Sequence, residues 1–304
     1  MANTVPATGS LRYTTIVKVN IVYYTGGILG SGRLVFGMSI GNALERRGVS
    51  CTYTMVHHSS VSHIADDFKH IKIPFENEHE LSPERCRRSV LYKTIRTLKP
   101  ELLIVNHNWF SPYHFIDELS CKKIYLADYT YDSHFTVPLP EKPLVFRREQ
   151  YHRVIAIEPF ESSIPMERIN PLVIRNRDEI LSREKALTRL GLDASKPLAF
   201  YGFGYQPEHI DRLLKKYSYL EKEYEIVRLP YDVFPAVDYY NAFDLIVCAG
   251  GYNNVWEVNY FNKNAIFEPI PMAFSDQSAR IEANKTFRFD VNGADQLVDI
   301  IMNL

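Results

Sequence analysis

Short apolar runs alternate along this chain with segments whose apolar positions recur every three or four residues. IVKVNIVYY (16–24) is β-branched and apolar and stops at Thr25-Gly26-Gly27, which predicts a buried strand closed by a turn. GSGRLVFGMSIGNALERRG follows, with Leu34, Met38, Ala43 and Leu44 at helical spacing. Arg46-Arg47 then precede Gly48, cations at a helix C-terminus followed by a capping glycine. VSCTYTMV (49–56) predicts the next strand, and a helix over about 83–98 leads into the apolar run ELLIVNHNW. KKIYLADY and HRVIAIEPF read as two further short buried strands.

From 159 to 196 the pattern breaks into prolines and charges, with one helix ending at Gly191. The rhythm then restarts. PLAFYGFG, YEIVRLP, NAFDLIVCAGG and AIFEPIP read as strands, PEHIDRLLKKY as a helix and GADQLVDIIMNL as the closing helix. Strand–helix alternation of this kind predicts mostly parallel sheets with helices on both faces. The chain is therefore expected to hold two similar α/β halves, 1–160 and 197–304, joined by a linker and lead-in helix over 161–196. Ligands of such sheets sit at the carboxyl ends of the strands, here in a cleft between the halves.

Composition narrows the functional classes. The 304 residues are 46% hydrophobic and carry a net charge of −1, so no global field draws nucleic acid to the molecule. Cys51, Cys86, Cys121 and Cys248 form no C-x-x-C pair; reduced thiols in a cytoplasmic protein are the expectation. The first ten residues lack the apolar stretch of a signal peptide, and no apolar run reaches the length of a membrane span. A peripheral membrane contact through exposed aromatics is compatible with the sequence. His57, His58, His63, His70 and His79 are scattered without an i, i+4 ligand pair or a nearby Cys, so no metal site is expected. Arg85, Arg87 and Arg88 read as a solvated helix face.

Three strand ends carry glycines: TGGILGSG (25–32), YGFG with Gly202 and Gly204, and AGGYNN (249–254). Glycine lets a ligand approach the backbone, and a helix starting there points free N–H groups and its positive dipole end at a diphosphate. Asn254 with Glu257 three residues on fits an N-cap and its capping-box partner. Equally, Glu257 one turn into the helix can accept the vicinal hydroxyls of a ribose. Gln277 either begins the next helix behind Asp276 as N-cap or bonds sugar hydroxyls through its amide.

The second half resembles the nucleotide-sugar-binding half of GT-B glycosyltransferases, and in particular the family of the peptidoglycan lipid-linked N-acetylglucosaminyltransferase. The resemblance rests on Asp244-Leu245-Ile246-Val247, Gly250-Gly251-Tyr252-Asn253-Asn254, Glu257, Pro269-Ile270-Pro271, Asp276-Gln277 and Asn284, in that order and spacing. More loosely, TGGILGSGRLVFGMSIGNALERRG is similar to the opening glycine loop of that family and of related UDP-sugar hydrolases. The resemblance implies an α/β GT-B fold, two Rossmann-like doubly wound domains facing each other across a cleft. It also implies inverting, metal-independent transfer of a sugar from a nucleotide diphosphate donor, most often UDP-linked, to an acceptor it does not identify. Gly251 to Asn254 and Glu257 would hold phosphate and ribose, Gln277 the sugar, and the loop 228–238, with Tyr231 or Phe234, would frame the base. No resident cofactor is implied.

Two departures matter: Asn254 stands where the family commonly has Thr, and the other bears on the chemistry. Where the family carries His after its first glycine loop, this chain has Arg33, which stays protonated and cannot be a general base. Arg33 instead suits a phosphate or carboxylate. Candidates for the base are His107 in VNHNWF and Asp128 or Asp132 in LADYTYDSH, each just past a buried strand; a backbone-satisfying role for His107 is the plainer alternative. Two competing functions follow: nucleotide-sugar hydrolysis, and a non-catalytic nucleotide-sugar-binding subunit.

Overall fold

The computed structural model describes residues 18–27, 31–77, 79–139, 142–193, 195–203, 207–230, 233–271 and 276–304. In the first half the strands are β1 (Val19–Thr25), β2 (Cys51–His57), β3 (His70–Lys72), β4 (Leu102–Asn106), β5 (Lys122–Ala127), the hairpin β6 (Thr136–Val137) and β7 (Leu144–Val145), β8 (Arg153–Ala156) and β9 (Glu167–Arg168). Seven of them form one sheet in the order β3-β2-β1-β4-β5-β8-β9, parallel throughout. Both faces are covered, as parallel sheets require. Ile21 and Tyr23 face one core, Val22 and Tyr24 the other, the period-2 alternation of a strand.

The first core is closed by helix α1 (Gly32–Arg46), whose residues from Leu34 to Ile40 are all buried. A side chain at Gly37 would strike Met55 and Tyr23 at under 3 Å, so this helix lies unusually close to the sheet. The helix stops as expected, with Gly48 at φ +63° just past Arg46 and Arg47. On the other face, the helix expected over 83–98 is shorter. Cys86–Arg88 form a tight turn, and α2 (Val90–Leu98) starts only after Ser89 caps the amide of Tyr92 at 3.0 Å.

The second half holds β10 (Leu198–Gly202), β11 (Glu225–Val227), β12 (Leu245–Ala249) and β13 (Ala265–Glu268), a parallel sheet in the order β11-β10-β12-β13. Its helices are α4 (Pro207–Lys216), α5 (Tyr252–Tyr260) and α6 (Gln277–Thr286). Between the halves, α3 (Arg183–Leu190) ends at Gly191 with φ +64°, where the sequence places its end. The preceding stretch is not an exposed tether: Leu172, Val173 and Ile174 are buried.

The closing helix α7 (Gly293–Met302) crosses back to the first half and packs along α1. Arg46 binds Asp295 at 2.7 Å and Glu179 at 3.0 Å, and Arg47 pairs with Asp299. Asn292, almost wholly buried, caps α7 through Ala294 N–H and bonds both backbone groups of Val173. One apolar core consequently runs from Leu34 through Leu172 to Phe200 and Val298, spanning both halves.

Candidate active site

The carboxyl ends of β1, β4 and β5 stop in register, Thr25 beside Asn106 and Asn106 beside Leu126. Buried Asn106 ties them together. It accepts from Tyr23 Oη at 3.1 Å and Thr25 Oγ1 at 3.0 Å and donates to Leu126 O at 3.0 Å. Above this knot the chain turns at Gly26 and Gly27. A Cβ on Gly26 would sit 1.7 Å from the Asn108 amide, and Gly27 has φ +105°. Tyr23 Oη also donates to Arg33 O at 2.7 Å, which fixes the first turn of α1 over the strand ends.

Arg33, Asp128 and His107 come together here, although they lie far apart in sequence. Arg33 Nε donates to Asp128 Oδ2 at 3.1 Å, and His107 Nδ1 lies 3.2 Å from Asp128 Oδ1. Burial alone would raise the Asp128 carboxyl, but His107 and Arg33 outweigh it and hold the group well below the ordinary carboxylate range. Burial pushes the His107 imidazole down against the pull of Asp128, leaving a neutral ring beside an ionised carboxylate at neutral pH. His107 also has φ +65°, an uncommon conformation for a non-glycine residue and one held only by its surroundings. Asp132 takes no part; it bonds the backbone and hydroxyl of Ser163.

Facing these groups is the start of α5. The N-cap is Gly251, in extended conformation, rather than Asn254. Asn254 is already inside the first turn and donates to Ala249 O at 3.1 Å. The capping-box reading therefore fails, because Glu257 lies two turns from the cap instead of one. Gly251 has no atom within 4 Å of where a Cβ would stand, and with Tyr252 it lines the cleft, which places the positive end of α5 at its wall.

The cleft, about 820 Å³ with its open mouth, is lined from one side by Thr25, Gly26, Gly27, Arg33 and Asp128 and from the other by Gly251, Tyr252, Gln277 and Arg280. Asn253 projects toward Gly32 across it. Gln277 starts α6 behind Asp276, whose carboxylate caps Ala279 N–H at 2.9 Å. Its own amide oxygen accepts from Ile270 N at 2.9 Å, pinning the P-x-P turn.

The remaining residues singled out in the sequence lie apart from the lining. Glu257 is buried under α5 with Tyr240 Oη 3.4 Å away, and burial pushes its carboxyl up to about 8. Gly202 packs against Phe200 and Cys248, and Phe234 against the main core. Gly250 is wedged against Gln277 and Ile281. Gly204 and Tyr231 lie outside the described residues. His57 does reach the lining, but Ser59 N–H and His70 occupy its two ring nitrogens.

Sequence reasoning missed Arg280 and Glu158. Arg280 Nε and Nη2 bind the Glu158 carboxylate at 2.5 and 2.9 Å, Trp256 Nε1 donates to the same group at 2.7 Å, and Arg280 Nη1 holds Gly250 O at 3.1 Å. This buried pair joins the end of β8 to α6. Burial raises the Glu158 carboxyl while Arg280 and Trp256 oppose it. Both residues left a trace in the chain: Arg280 falls on the face of Gln277 at i+3, and Glu158 follows a buried strand just as Asp128 does. Tyr252 adds a second stitch, donating to Ile157 O and accepting from Leu172 N, with its ring edge-on to Phe36.

No family model and no curated protein sequence matches the chain. Solved structures do. MurG of Acinetobacter baumannii aligns over 94% of this chain and 91% of its own, with TM-score 0.51 and 14% identity. The glycosyltransferase SnogD of Streptomyces nogalater aligns over 91% and 88%, with TM-score 0.57 and 12% identity. The glycosyltransferase VinC, solved in complex with dTDP, aligns over 92% and 90%, with TM-score 0.54 and 10% identity. Likeness over nearly the full length of both partners, with two parallel sheets meeting at a cleft, gives this chain the GT-B fold.

Proposed function

We propose that this protein is an inverting glycosyltransferase that takes its sugar from a nucleoside diphosphate donor, UDP-linked by preference, and needs no metal for the transfer. The observation that carries the reading is the open N-terminus of α5 facing Arg33 and Asp128 across one cleft. The fold neighbours named as glycosyltransferases, one of them holding dTDP, support it. In this reading the diphosphate lies against the N–H groups of Gly251 to Asn253, with Arg33 and Arg280 as the cations of the lining, and Gln277 serves the sugar side, whereas Glu257 and Phe234 lie apart from the lining and take no direct part.

Transfer then needs a base for the acceptor hydroxyl. Asp128 is the carboxylate on the cleft lining, and His107 supports it from behind. The acceptor oxygen attacks the anomeric carbon as its proton passes to Asp128. The bond to the diphosphate breaks on the opposite face, and the departing charge falls on the α5 amides and the arginines. In the free protein Arg33 occupies Asp128 and weakens it as a base. A diphosphate competes for the same guanidinium, so donor binding frees the carboxylate.

That same Arg33–Asp128 pair favours a second reading, a donor-binding protein without turnover. Thermal-shift and titration measurements with UDP, GDP, dTDP and CMP test the first step, because a ligand of the native state must raise Tm. Absence of any shift removes the donor site. Release of UDP in the presence of an acceptor panel supports transfer, release of free sugar into water supports hydrolysis, and binding without release supports the second reading.

A further inference from the structure

The spacing of histidines along the chain holds no metal-ligand motif, yet folding assembles a group of ligand type behind the cleft. We propose that His107, Asp128 and His134 bind one divalent first-row transition ion, with Zn²⁺ the ion best suited to two imidazoles and a carboxylate. One ligand atom from each lies within 4.8 Å of the other two. Ligand atoms around a tetrahedral ion stand about 3.4 Å apart. His107 Nδ1 and Asp128 Oδ1, at 3.2 Å, already have that spacing. The His107 and His134 rings face each other at 4.8 Å between centroids and 31° between planes, so a small rotation of His134 completes the set.

The supports around the three side chains are those a metal site uses. Tyr125 Oη holds His134 Nε2 at 3.1 Å, which leaves Nδ1 as the ring nitrogen available to the ion. Trp109 Nε1 donates to His134 O at 2.9 Å, and Tyr125 Oη reaches His107 O at 3.3 Å. Arg33 binds the other oxygen of Asp128, orienting the carboxylate. Its charge also opposes a cation, so the affinity is held below that of a closed structural site. The ion would draw charge from the carboxylate that serves as the proposed base and lower its basicity, so it would suppress transfer.

Isothermal titration of the chelator-treated full chain with Zn²⁺, and the visible spectrum of its Co²⁺ form, test the site without any activity measurement. One equivalent is expected, weakened at least tenfold in H107A and H134A, by about tenfold in Y125F, and tightened in R33Q. The last effect is opposite to that expected for a diphosphate on Arg33, so loss of the metal site and loss of the donor site are separable. H134Q keeps the bulk of the ring should H134A fold poorly. The nearby His57–His70 pair, with Asp66 beside it, is the control. Absence of stoichiometric binding, or binding unchanged in H107A and H134A but lost in H70A, overturns the proposal.

Discussion

Each half ends a buried parallel strand in glycines and then starts a helix, but the two corners are made from different material. Above β12 the corner is main chain: Gly251 caps α5 with nothing crowding it, and amides face the cleft. Above β1 the corner is filled by side chains. Asn108 occupies the space beside Gly26, Arg33 crowds Gly27, and Asp128 joins Arg33 to His107. A main-chain site suits any diphosphate and leaves a local pattern of glycines and spacing. A side-chain site can do proton chemistry, but it draws on strands that meet only in the fold.

If that contrast is right, the stability of the cleft resides in what bridges the corners. Replacing Glu158 by Ala leaves the Arg280 charge buried without its carboxylate, and should cost about 3–5 kcal/mol in urea unfolding, the usual penalty for breaking such a pair. Replacing both partners by apolar residues of similar volume should cost far less. A loss below about 1 kcal/mol for E158A would mean that Arg280 finds water in the variant, and that α7, Tyr252 and the shared apolar core hold the halves without it.

The two corners should also answer pH with opposite sign. Glu257 has its carboxyl raised from 4.5 to about 8 by burial. Its contribution is therefore greatest below the unfolded value and is lost as pH rises through about 8. Asp128 has its carboxyl lowered, so its contribution is present above the ordinary value of 3.8 and fades in acid. Replacing Glu257 by Gln should remove a decline of about 4 kcal/mol between pH 5 and 8, measured as Tm against pH. D128N should lower Tm by a constant amount across that window and change the slope only below it. An unchanged slope in E257Q would place the buried charge elsewhere.

Legibility in the sequence followed the same division. The strands of four or more residues and β11, together with α1, α3 and its stop at Gly191 and the Gly251 corner, were readable because each depends on neighbours in the chain, whereas the two- and three-residue strands β3, β6, β7 and β9 were not. Arg33 and Asp128 were singled out separately, but their pairing spans 95 positions and no periodicity encodes it. His134 drew no attention because a lone His in a turn has no local signature, and the trace left by Glu158, a carboxylate just past a strand, does not name its partner 122 positions away. Asn254 was misplaced as a cap because Gly251, which lacks a capping side chain, starts the helix three residues earlier. The return of α7 to α1 was invisible for a similar reason: amphipathic pattern reveals that a helix has a buried face, without revealing which half covers it.

Alanine at the two glycine corners should separate main-chain from side-chain construction. At Gly26 a methyl group would overlap Asn108 atoms at 1.7–2.4 Å. That side chain must leave, with a loss of about 1–3 kcal/mol typical of overpacking, read as a fall in the urea midpoint.

Gly251 gives the smallest effect on folding and the most selective one on binding. Its φ of −64° and ψ of 156° are accessible to alanine, and no atom lies within 4 Å of the added carbon. G251A should therefore unfold within about 1 kcal/mol of the parent, the poorer N-cap offset by the lower unfolded-chain entropy of alanine. The methyl group would nonetheless stand where a phosphate must approach the α5 amides, so affinity for UDP should fall about tenfold or more by titration, equivalent to about 1.4 kcal/mol. Equal stability with equal UDP affinity would move the diphosphate off this helix and onto Arg33 and Arg280, making both corners side-chain sites.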